Sequence, residues 1–414
     1  MTPYAQTPFI AIWETTRACA LACVHCRAEA MPRRDPGELT TDEGRALLDR
    51  IAAFGDPPPL VVFTGGDPMR RPDMAELVAY GTRLGLVVSM TPSGTAAATE
   101  DKLRALRDAG LARLAVSLDA ASAEAHDAFR RVRGSHRHTL RIIERAQALG
   151  LPLQINTTVC RQTAGELPAL VDQVTSFGAV LWALFFLIPV GRAQADQGLT
   201  AEEIERVLHW AAELQRRVPF GVKTTESPQY SRVVGGLSSN SLSSSSAGAQ
   251  KWPPHSPSSV SGLASRPAHQ AWAPHSPNSV SGLDARSVHQ ASPNPRTVGS
   301  AAPALRAPRA VTDGNGFVFV DHVGNICPSG FLPMRAGNVR EDDLVTVYRE
   351  HPLFLALRDP ARLGGRCGRC EWRDRCGGSR ARAYAASGDP LAEDPGCAYQ
   401  PAEADQRAGA RIAP

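Results

Sequence analysis

The chain has 414 residues, of which 43% are hydrophobic and 21% are charged. This composition supplies enough apolar side chains for the buried core of two or more compact units, and it excludes a chain that is disordered throughout. The longest apolar run, residues 180–190, is too short to cross a bilayer, and the first residues lack the pattern of a signal peptide. We therefore expect a soluble, cytoplasmic protein with no membrane partner.

The formal net charge of +4 arises mainly in one segment of the chain. Residues 235–310 contain six basic residues and one acidic residue, a charge of +5, so the other 338 residues carry a charge of −1. A nearly neutral remainder does not provide the basic surface that binds phosphate backbones. Nucleic acid is therefore not expected as a partner.

Repeated β-α units are predicted in the first half of the chain, where β-branched runs alternate with stretches of helical period. The predicted strands are 9–16, 60–66, 87–93, 113–119, 153–159 and 181–190. The predicted helices are 41–54, 73–84, 100–109, 138–149, 165–177 and 200–217. Six parallel strands with helical crossovers predict an α/β fold, a partial (β/α)6 TIM-like barrel.

Polar residues gather where these predicted strands end, which is the edge at which such barrels carry their functional residues. They are Thr64, Gly65, Gly66 and Asp67 on the second strand, Ser93 on the third, and Ser117 and Asp119 on the fourth. Each alone fits an ordinary turn, since Gly, Ser and Asp are common turn formers. Their recurrence on several strands favours a site.

A change of composition follows the barrel. Residues 235–310 contain 18 Ser and 10 Pro, and a segment starting at Trp252 returns in a second copy starting at Trp272. So little apolar content predicts a disordered insertion that carries a 20-residue duplication. The expected order is an N-terminal tail at 1–8, the barrel at 9–234, the insertion at 235–310, a small cysteine-rich domain at 311–400 and a tail at 401–414.

The small domain is predicted to contain a β-hairpin and a helix. The hairpin turns at residues 323–325, and the helix covers residues 343–358. Both elements precede the cysteines at the C-terminal end of the domain.

Nine cysteines form two groups and two single positions. Because a chain without a signal peptide is expected to stay in a reducing compartment, this clustering favours metal or iron–sulfur ligation over disulfides. The first group comprises Cys19, Cys23 and Cys26, the second comprises Cys367, Cys370, Cys376 and Cys397, and the single residues are Cys160 and Cys327.

The first group places three thiols on the loop after the first strand. A structural zinc site or a closed 4Fe-4S cluster takes four protein ligands, whereas three thiolates leave one iron of a four-iron cluster open to another ligand. Zinc with His25 as a fourth ligand is the alternative, although the position of His25 between Val24 and Cys26 makes it hard to face the same ion.

This triplet on a predicted partial barrel resembles the signature of the radical S-adenosylmethionine enzymes. In that family the open iron binds S-adenosylmethionine, and one electron from the cluster cleaves the sulfonium to a 5′-deoxyadenosyl radical. The sequence TGGDP at 64–68 resembles the glycine-rich element that receives the methionine ammonium, and PVGRA at 189–193 resembles the stretch along the adenine. The resemblance implies these cofactor-binding residues: Gly65, Gly66, Asp67, Ser93, Ser117, Asp119, Arg130 and Asn156.

The second group has the four ligands of a closed site, and zinc is again the alternative by spacing alone. Its spacing resembles the ligands of the outer auxiliary 4Fe-4S cluster in SPASM or twitch domains of the same superfamily. A complete SPASM domain would have cysteines where this chain has Asp342 and Arg380. We therefore expect one auxiliary cluster, with Cys327 as either a spare buried thiol or a substrate-facing group, and Cys160 as a small packed residue.

The strings at 14–30 and 376–390 resemble most the branch that contains the haem-biosynthesis enzymes. The resemblance implies hydrogen abstraction from a substrate carbon, either on a tetrapyrrole propionate or on a ribosomally made peptide, with flavodoxin or ferredoxin as a reductant. The auxiliary cluster would accept or relay an electron. The alternative from another class is a non-catalytic iron–sulfur or zinc module that binds a partner through the insertion.

Overall fold

A ten-stranded sheet organises the protein. The computed structural model describes residues 4–239 and 311–401. The strands are β1 (Ile10–Glu14), β2 (Leu60–Thr64), β3 (Val88–Met90), β4 (Arg113–Ser117), β5 (Leu153–Val159), β6 (Leu181–Phe186), β7 (Gly221–Thr225), β8 (Phe317–Val320), β9 (Asn325–Cys327) and β10 (Gly337–Asn338). Their order in the sheet is β10-β9-β8-β1-β2-β3-β4-β5-β6-β7.

Helices alternate with the strands of the barrel and then form the C-terminal region. They are α1 (Thr41–Ala52), α2 (Met74–Arg83), α3 (Glu100–Asp108), α4 (Ala123–Arg130), α5 (Ser135–Ala148), α6 (Leu167–Ser176), α7 (Ala201–Gln215), α8 (Tyr230–Ser239), α9 (Leu344–Glu350), α10 (Pro352–Arg358), α11 (Gly365–Arg369) and α12 (Arg380–Ser387). Strands β1 to β7 are parallel neighbours in chain order, which confirms the predicted α/β partial barrel.

Strand alternation separates a helix-facing side of the sheet from a concave side. Trp182 on β6 is fully buried and packs edge-on against Trp210 of α7. Its neighbours Ala183 and Phe185 therefore face the opposite, concave side, since successive strand residues point to opposite faces. The same alternation buries Trp13 against Phe63 on the helix side. The hydrophobic core thus lies between the sheet and the helices, and the concave face remains partly open.

Side-chain caps fix where several helices begin. Thr40 and Thr200 each form a reciprocal capping box with the Glu three residues later, at the starts of α1 and α7. Ser122 caps α4 by accepting a hydrogen bond from the backbone N–H of Ala125. These short local signals set the positions of the helices against the sheet.

The observed elements differ from the predicted ones at several places. Six elements were not predicted: α4, β7, α8, β10, α11 and α12. One helix was predicted over 343–358, where the chain forms α9 and α10. Pro352 causes this break, because the residue before a proline avoids helical backbone angles and His351 is extended there. Helix α8 ends at Ser239, five residues into the segment predicted to be disordered. The rest of that insertion, 240–310, lies outside the described residues, as do residues 1–3 and 402–414.

The C-terminal hairpin continues the barrel sheet. Strand β8 pairs in parallel with β1, and β9 pairs antiparallel with β8. Residues 311–401 and the barrel accordingly belong to one compact unit. In the part of the chain that the structure describes, no helix is long and apolar enough to cross a membrane.

The Tyr348 hydroxyl connects three distant segments. It donates a hydrogen bond to the Tyr4 carbonyl at 2.7 Å and accepts one from the Gly316 N–H at 3.2 Å, and its ring packs edge-on against Phe54. Tyr348 is fully buried, so loss of the hydroxyl leaves both backbone groups without this partner.

We expect Tyr348→Phe to lower the free energy of unfolding by about 1–3 kcal/mol, the cost of unsatisfied buried polar groups. Urea unfolding followed by circular dichroism measures this change. Tyr80→Phe is the matched control, because the Tyr80 hydroxyl bonds to Asp49 at the exposed surface and its loss should leave the urea midpoint nearly unchanged. Equal midpoints for both variants would contradict the structural role of Tyr348.

Candidate active site

The first cysteine group lies on a loop that is pinned at the carboxyl end of β1. The Cys19 N–H donates to the Met31 carbonyl at 2.7 Å, and the Met31 N–H donates to the Arg17 carbonyl at 2.9 Å, which closes the loop on itself. Cys19 and Cys23 are buried with Leu21 in one cluster, and Cys26 packs against it. The fold therefore brings the three predicted ligands together.

Each thiol of this group accepts a hydrogen bond from an N–H donor. The Leu21 amide donates to the Cys19 sulfur at 3.3 Å, the Ala30 amide donates to the Cys26 sulfur at 3.4 Å, and the Arg130 guanidinium donates to the Cys23 sulfur at 3.7 Å. Burial raises the pKa of the Cys19 and Cys23 thiols. Donors of this kind favour sulfur that carries negative charge, as a thiolate ligand of iron does.

The glycine turn after β2 packs directly against the backbone of the cysteine loop. The Gly66 N–H donates to the Thr16 carbonyl and the Asp67 N–H donates to the Ala18 carbonyl, both at 2.7 Å. A Cβ atom on Gly66 would lie 2.6 Å from the carbonyl oxygens of Arg17 and Ala18. Gly65 has a φ of +155°, a conformation that side chains rarely adopt. Close backbone contacts at position 66 and the backbone conformation at position 65 therefore require glycine at both positions.

Asp67 and Ser93 connect the turn after β2 to the loop after β3. The Asp67 carboxylate is fully buried, and it accepts hydrogen bonds from the Met69 N–H at 3.2 Å and from the Thr95 hydroxyl at 2.8 Å. The Ser93 hydroxyl donates to the Gly66 carbonyl at 2.6 Å and lies 3.3 Å from the Cys19 sulfur. Burial raises the pKa of Asp67. The carboxylate of Asp67 thus serves as a support for the turn.

Asp119 and Arg130 form a buried ion pair beside Cys23. The Arg130 guanidinium lies 2.6 Å from the Asp119 carboxylate, whose other oxygen accepts the Thr158 N–H at 2.9 Å. Burial alone would raise the pKa of Asp119, but the charge of Arg130 and the other donors hold it below its usual value. Arg130 thereby keeps its charge at the Cys23 sulfur, where an anionic ligand would be stabilised.

Ser117 and Asn156 lie in one row across the concave face. Ser117 on β4 is opposite Asn156 on β5, which is opposite Ala183 on β6. The Asn156 amide oxygen accepts a hydrogen bond from the Gln154 amide at 2.7 Å. These two predicted residues face the barrel lumen, whereas Gly66, Asp67 and Ser93 lie around the cysteine loop.

His25 stacks flat on Phe129, with ring centroids 4.2 Å apart and an interplanar angle of 8°. Burial and the charge of Arg130 lower the pKa of His25 to about 3. Among residues 4–239 and 311–401, no three His, Cys, Asp or Glu side chains converge where a single metal ion could sit. A four-iron cluster needs no such convergence, because each thiolate binds a separate iron.

The second cysteine group lines one pocket in the C-terminal region. All four thiols, of Cys367, Cys370, Cys376 and Cys397, border this pocket together with Arg232, Trp372 and Tyr399. Backbone N–H groups donate to three of the sulfurs: Asp394 to Cys367 and Trp372 to Cys370 at 3.4 Å, and Gly378 to Cys376 at 3.5 Å. Four thiols around one pocket, three of which accept hydrogen bonds from backbone amides, fit the ligand set of an iron–sulfur cluster.

The residues that replace the further SPASM cysteines have other partners. Arg380 donates to the Cys367 sulfur at 3.7 Å and to the Ala392 carbonyl at 2.7 Å. The Asp342 carboxylate accepts the Asn338 N–H at 2.8 Å. Cys327 is buried on β9, and burial raises the pKa of its thiol to about 12. Cys160 is fully buried in a cluster with Phe129 and Leu187, as expected of a packed residue.

Sequence reasoning missed a charged cluster that joins the barrel to the hairpin. Glu14, at the end of β1, lies 2.7 Å from Arg27 and 3.2 Å from His322. Arg27 also lies over the Phe319 ring of β8 at 4.8 Å. Arg27 directly follows Cys26, so this cluster fixes the far end of the cysteine loop. No sequence pattern indicated this cluster, because Phe319 and His322 are far from Glu14 and Arg27 in the chain.

Known proteins resemble this chain over most of its length. Residues 13–174 match the model of the Radical SAM superfamily. The AdoMet-dependent heme synthase of Methanosarcina barkeri is 35% identical over 97% of this chain and 99% of its own length. The AdoMet-dependent heme synthase of Oleidesulfovibrio alaskensis is 35% identical over 94% of this chain and 87% of its own length.

Solved structures share the fold. Streptococcus suis SuiB has a TM-score of 0.64 in its complex with the precursor peptide SuiA and of 0.66 in its complex with S-adenosylmethionine. The two structures cover 95% of this chain and 76% and 78% of SuiB, at 13% and 14% identity.

The chain therefore belongs to the radical SAM superfamily, the class of enzymes that uses a 4Fe-4S cluster and S-adenosylmethionine. Its full-length relatives place it in the haem-biosynthesis branch of that superfamily. This confirms the resemblance found in the sequence.

We expect Gly66→Ala to impair cluster assembly at the first cysteine group, because a Cβ atom at Gly66 displaces the Arg17–Ala18 backbone that leads to Cys19. The iron content after anaerobic reconstitution should fall, and 5′-deoxyadenosine formation with dithionite should fall by at least about tenfold. Gly236→Ala is the matched control, since a Cβ there meets no atom within 4 Å. Full activity of Gly66→Ala would contradict this packing.

Proposed function

We propose that the protein converts propionate side chains of an iron porphyrin to vinyl groups and so completes a haem. The observation that carries this proposal is the 35% identity to an AdoMet-dependent heme synthase over 97% of this chain and 99% of the relative. Similarity of this extent includes the barrel and both cysteine groups. It therefore concerns the whole catalytic assembly, beyond the part that all superfamily members share.

The open concave face supports a flat apolar substrate. Six apolar side chains on this face remain partly exposed, although their neighbours on the helix side are buried: Ile10, Ile12, Leu60, Val62, Phe185 and Phe317. They lie on β8, β1, β2 and β6, so they form apolar walls of the lumen. A porphyrin would bury such a surface on binding, which is the main favourable contribution for an apolar ligand.

The first cysteine group would hold the 4Fe-4S cluster, which when bound supplies the electron that splits S-adenosylmethionine into methionine and a 5′-deoxyadenosyl radical. We assign the support of this site to Gly65, Gly66, Asp67 and Ser93, which hold the cysteine loop against β2 and β3. Arg130, held by Asp119, places a positive charge at Cys23. Ser117 and Asn156 face the lumen, where they would contact the cofactor and orient it toward the substrate.

The overall reaction removes one hydrogen atom, CO2 and one electron from each propionate. The hydrogen atom passes to the deoxyadenosyl group, and the electron needs an acceptor. We propose that Cys367, Cys370, Cys376 and Cys397 hold one auxiliary 4Fe-4S cluster that supplies this acceptor. A flavodoxin or ferredoxin would serve as the reductant for the first cluster.

Iron analysis of two cysteine variants tests the assignment of the clusters. We expect about eight irons per chain in the wild type and about four in each variant, in which either the first or the second group is changed to Ala. With dithionite, the variant of the second cysteine group should form 5′-deoxyadenosine, and the variant of the first cysteine group should form none. Zinc without iron in the wild type would contradict the assignment and favour the non-catalytic binding module.

Product analysis tests the substrate. Incubation of the reconstituted protein with iron coproporphyrin III, S-adenosylmethionine and a reductant should produce haem, with one 5′-deoxyadenosine for each vinyl group formed. Mass spectrometry of the porphyrin measures this outcome. Cofactor cleavage without change of any porphyrin would contradict the proposal and favour a peptide substrate, the other class of substrate that the sequence analysis retained.

A further inference from the structure

Two cations, Lys223 and Arg113, share the concave face of the barrel. Lys223 lies on β7 opposite Ala183, and it extends the row that Ser117, Asn156 and Ala183 form across β4, β5 and β6. Arg113 lies on β4 four residues before Ser117, so its side chain points to the same face. Two strands separate β4 from β7, and Arg113 lies four residues before the row that holds Lys223. Both side chains face the same lumen, and the charge of Arg113 acts on Lys223 across it.

Neither cation has an acidic partner in the described residues. The ion pairs found in residues 4–239 and 311–401 include neither Lys223 nor Arg113, and the Arg113 Nε is buried without a hydrogen-bond partner. Glu14 at the end of β1 binds Arg27, and Asp119 after β4 binds Arg130. Glu226, three residues after Lys223, is engaged by the Ser379 hydroxyl, which donates to its carboxylate at 2.7 Å. The polar neighbours Gln154 and Asn156 are neutral and bond to each other.

This arrangement costs free energy in the unliganded protein. Two like charges that face each other in a partly buried lumen repel, and burial removes part of their hydration. Burial and the charge of Arg113 lower the pKa of Lys223 to about 8. An anion placed between the two side chains would reverse the repulsion and form charge-assisted hydrogen bonds with both.

The use of lysine at this position is informative. The chain has 45 basic residues and three lysines, at 102, 223 and 251, so arginine is its ordinary basic residue. Lys223 lies in the row that holds the two residues assigned to the cofactor, and the opposite walls of the lumen are apolar. The lumen thus combines apolar walls with one cationic patch, as a porphyrin with carboxylate arms requires.

We propose that Lys223 and Arg113 form a carboxylate-binding site in the lumen, which holds a propionate of the substrate and so positions the macrocycle against the cofactor. This inference rests on the proposed function, because it assumes a porphyrin substrate. It adds two positioning residues that the cysteine motifs do not identify. A carboxylate bound here offsets one of the two positive charges and gives both side chains an anionic partner.

The experiment measures the dissociation constant of coproporphyrin III by fluorescence quenching with the anaerobically reconstituted full chain. We expect Lys223→Met to weaken binding about tenfold or more, the usual loss for one charge-assisted hydrogen bond. Arg113→Gln should weaken it similarly, and Lys223→Arg should retain most of the affinity. The tetramethyl ester of the porphyrin should bind wild type and Lys223→Met equally. Lys102→Met, which changes an exposed lysine, is the control.

The pH dependence separates a charge effect from a structural one. Lysine is charged below its pKa and neutral above it, so wild-type affinity should fall as the pH rises through and beyond about 8. A bound carboxylate shifts this fall to higher pH. Lys223→Arg should show no such fall, because arginine stays charged. The iron content of Lys223→Met after anaerobic reconstitution should equal that of wild type, which shows that the cysteine groups are intact.

Two results would overturn the inference. If wild type binds the porphyrin and both Lys223→Met and Arg113→Gln bind it within about twofold of wild type, the cationic site is wrong while the proposed function stands. If wild type binds neither the porphyrin nor its ester, the porphyrin substrate itself is wrong and the inference fails with it.

Discussion

The first cysteine group depends on two backbone hydrogen bonds between the turn after β2 and the chain after β1. The amides of Gly66 and Asp67 donate to the carbonyls of Thr16 and Ala18, and so hold the start of the cysteine loop against the turn after β2. The contact is so close that only glycine fits at position 66. Because Cys19 follows Ala18 directly, the sheet sets the position of the first predicted ligand. The glycines therefore matter here for packing of the chain on itself.

The second constraint is the continuity of the sheet. Strand β8 pairs with β1, so the C-terminal region that carries the second cysteine group is attached to the strand that leads into the first group. The cluster of Glu14, Arg27 and His322 reinforces this junction, and Arg27 is adjacent to Cys26. Burial opposes a charged His322, but Glu14 more than offsets it and raises the pKa of His322. The two cysteine groups are therefore connected through neighbouring strands of one sheet.

Much of the barrel could be predicted from the sequence, because its strands are β-branched runs and its helices have a clear apolar period. Strand β7 was missed because GVKTT has one buried residue, Val222, and reads as a polar stretch. The break at Pro352 was available from the sequence, since proline restricts the residue before it. Helix α8 was not predicted, because its last residues, up to Ser239, have the Ser- and Gly-rich composition of the insertion.

The two cysteine groups could be recognised from the sequence because their members are close in the chain, although spacing alone left zinc as an alternative at each. The environment of the site could not, since it comes from residues that only the sheet brings together. The hydrogen bonds that Asp67 accepts from Thr95 and that Asp119 accepts from Arg130 were not available from the sequence. The position of Lys223 on the concave face could not be predicted from the sequence, because it depends on β7, a strand that was not predicted.

The central claim is that three cysteines hold a four-iron cluster and leave one iron for S-adenosylmethionine. Electron–nuclear double resonance tests it most directly, with the reduced cluster of the variant that lacks the second cysteine group and a cofactor isotopically labelled at its amino nitrogen. The account predicts a strong coupling between the label and the cluster, which shows direct coordination. A cluster signal that is unchanged by the labelled cofactor would contradict it.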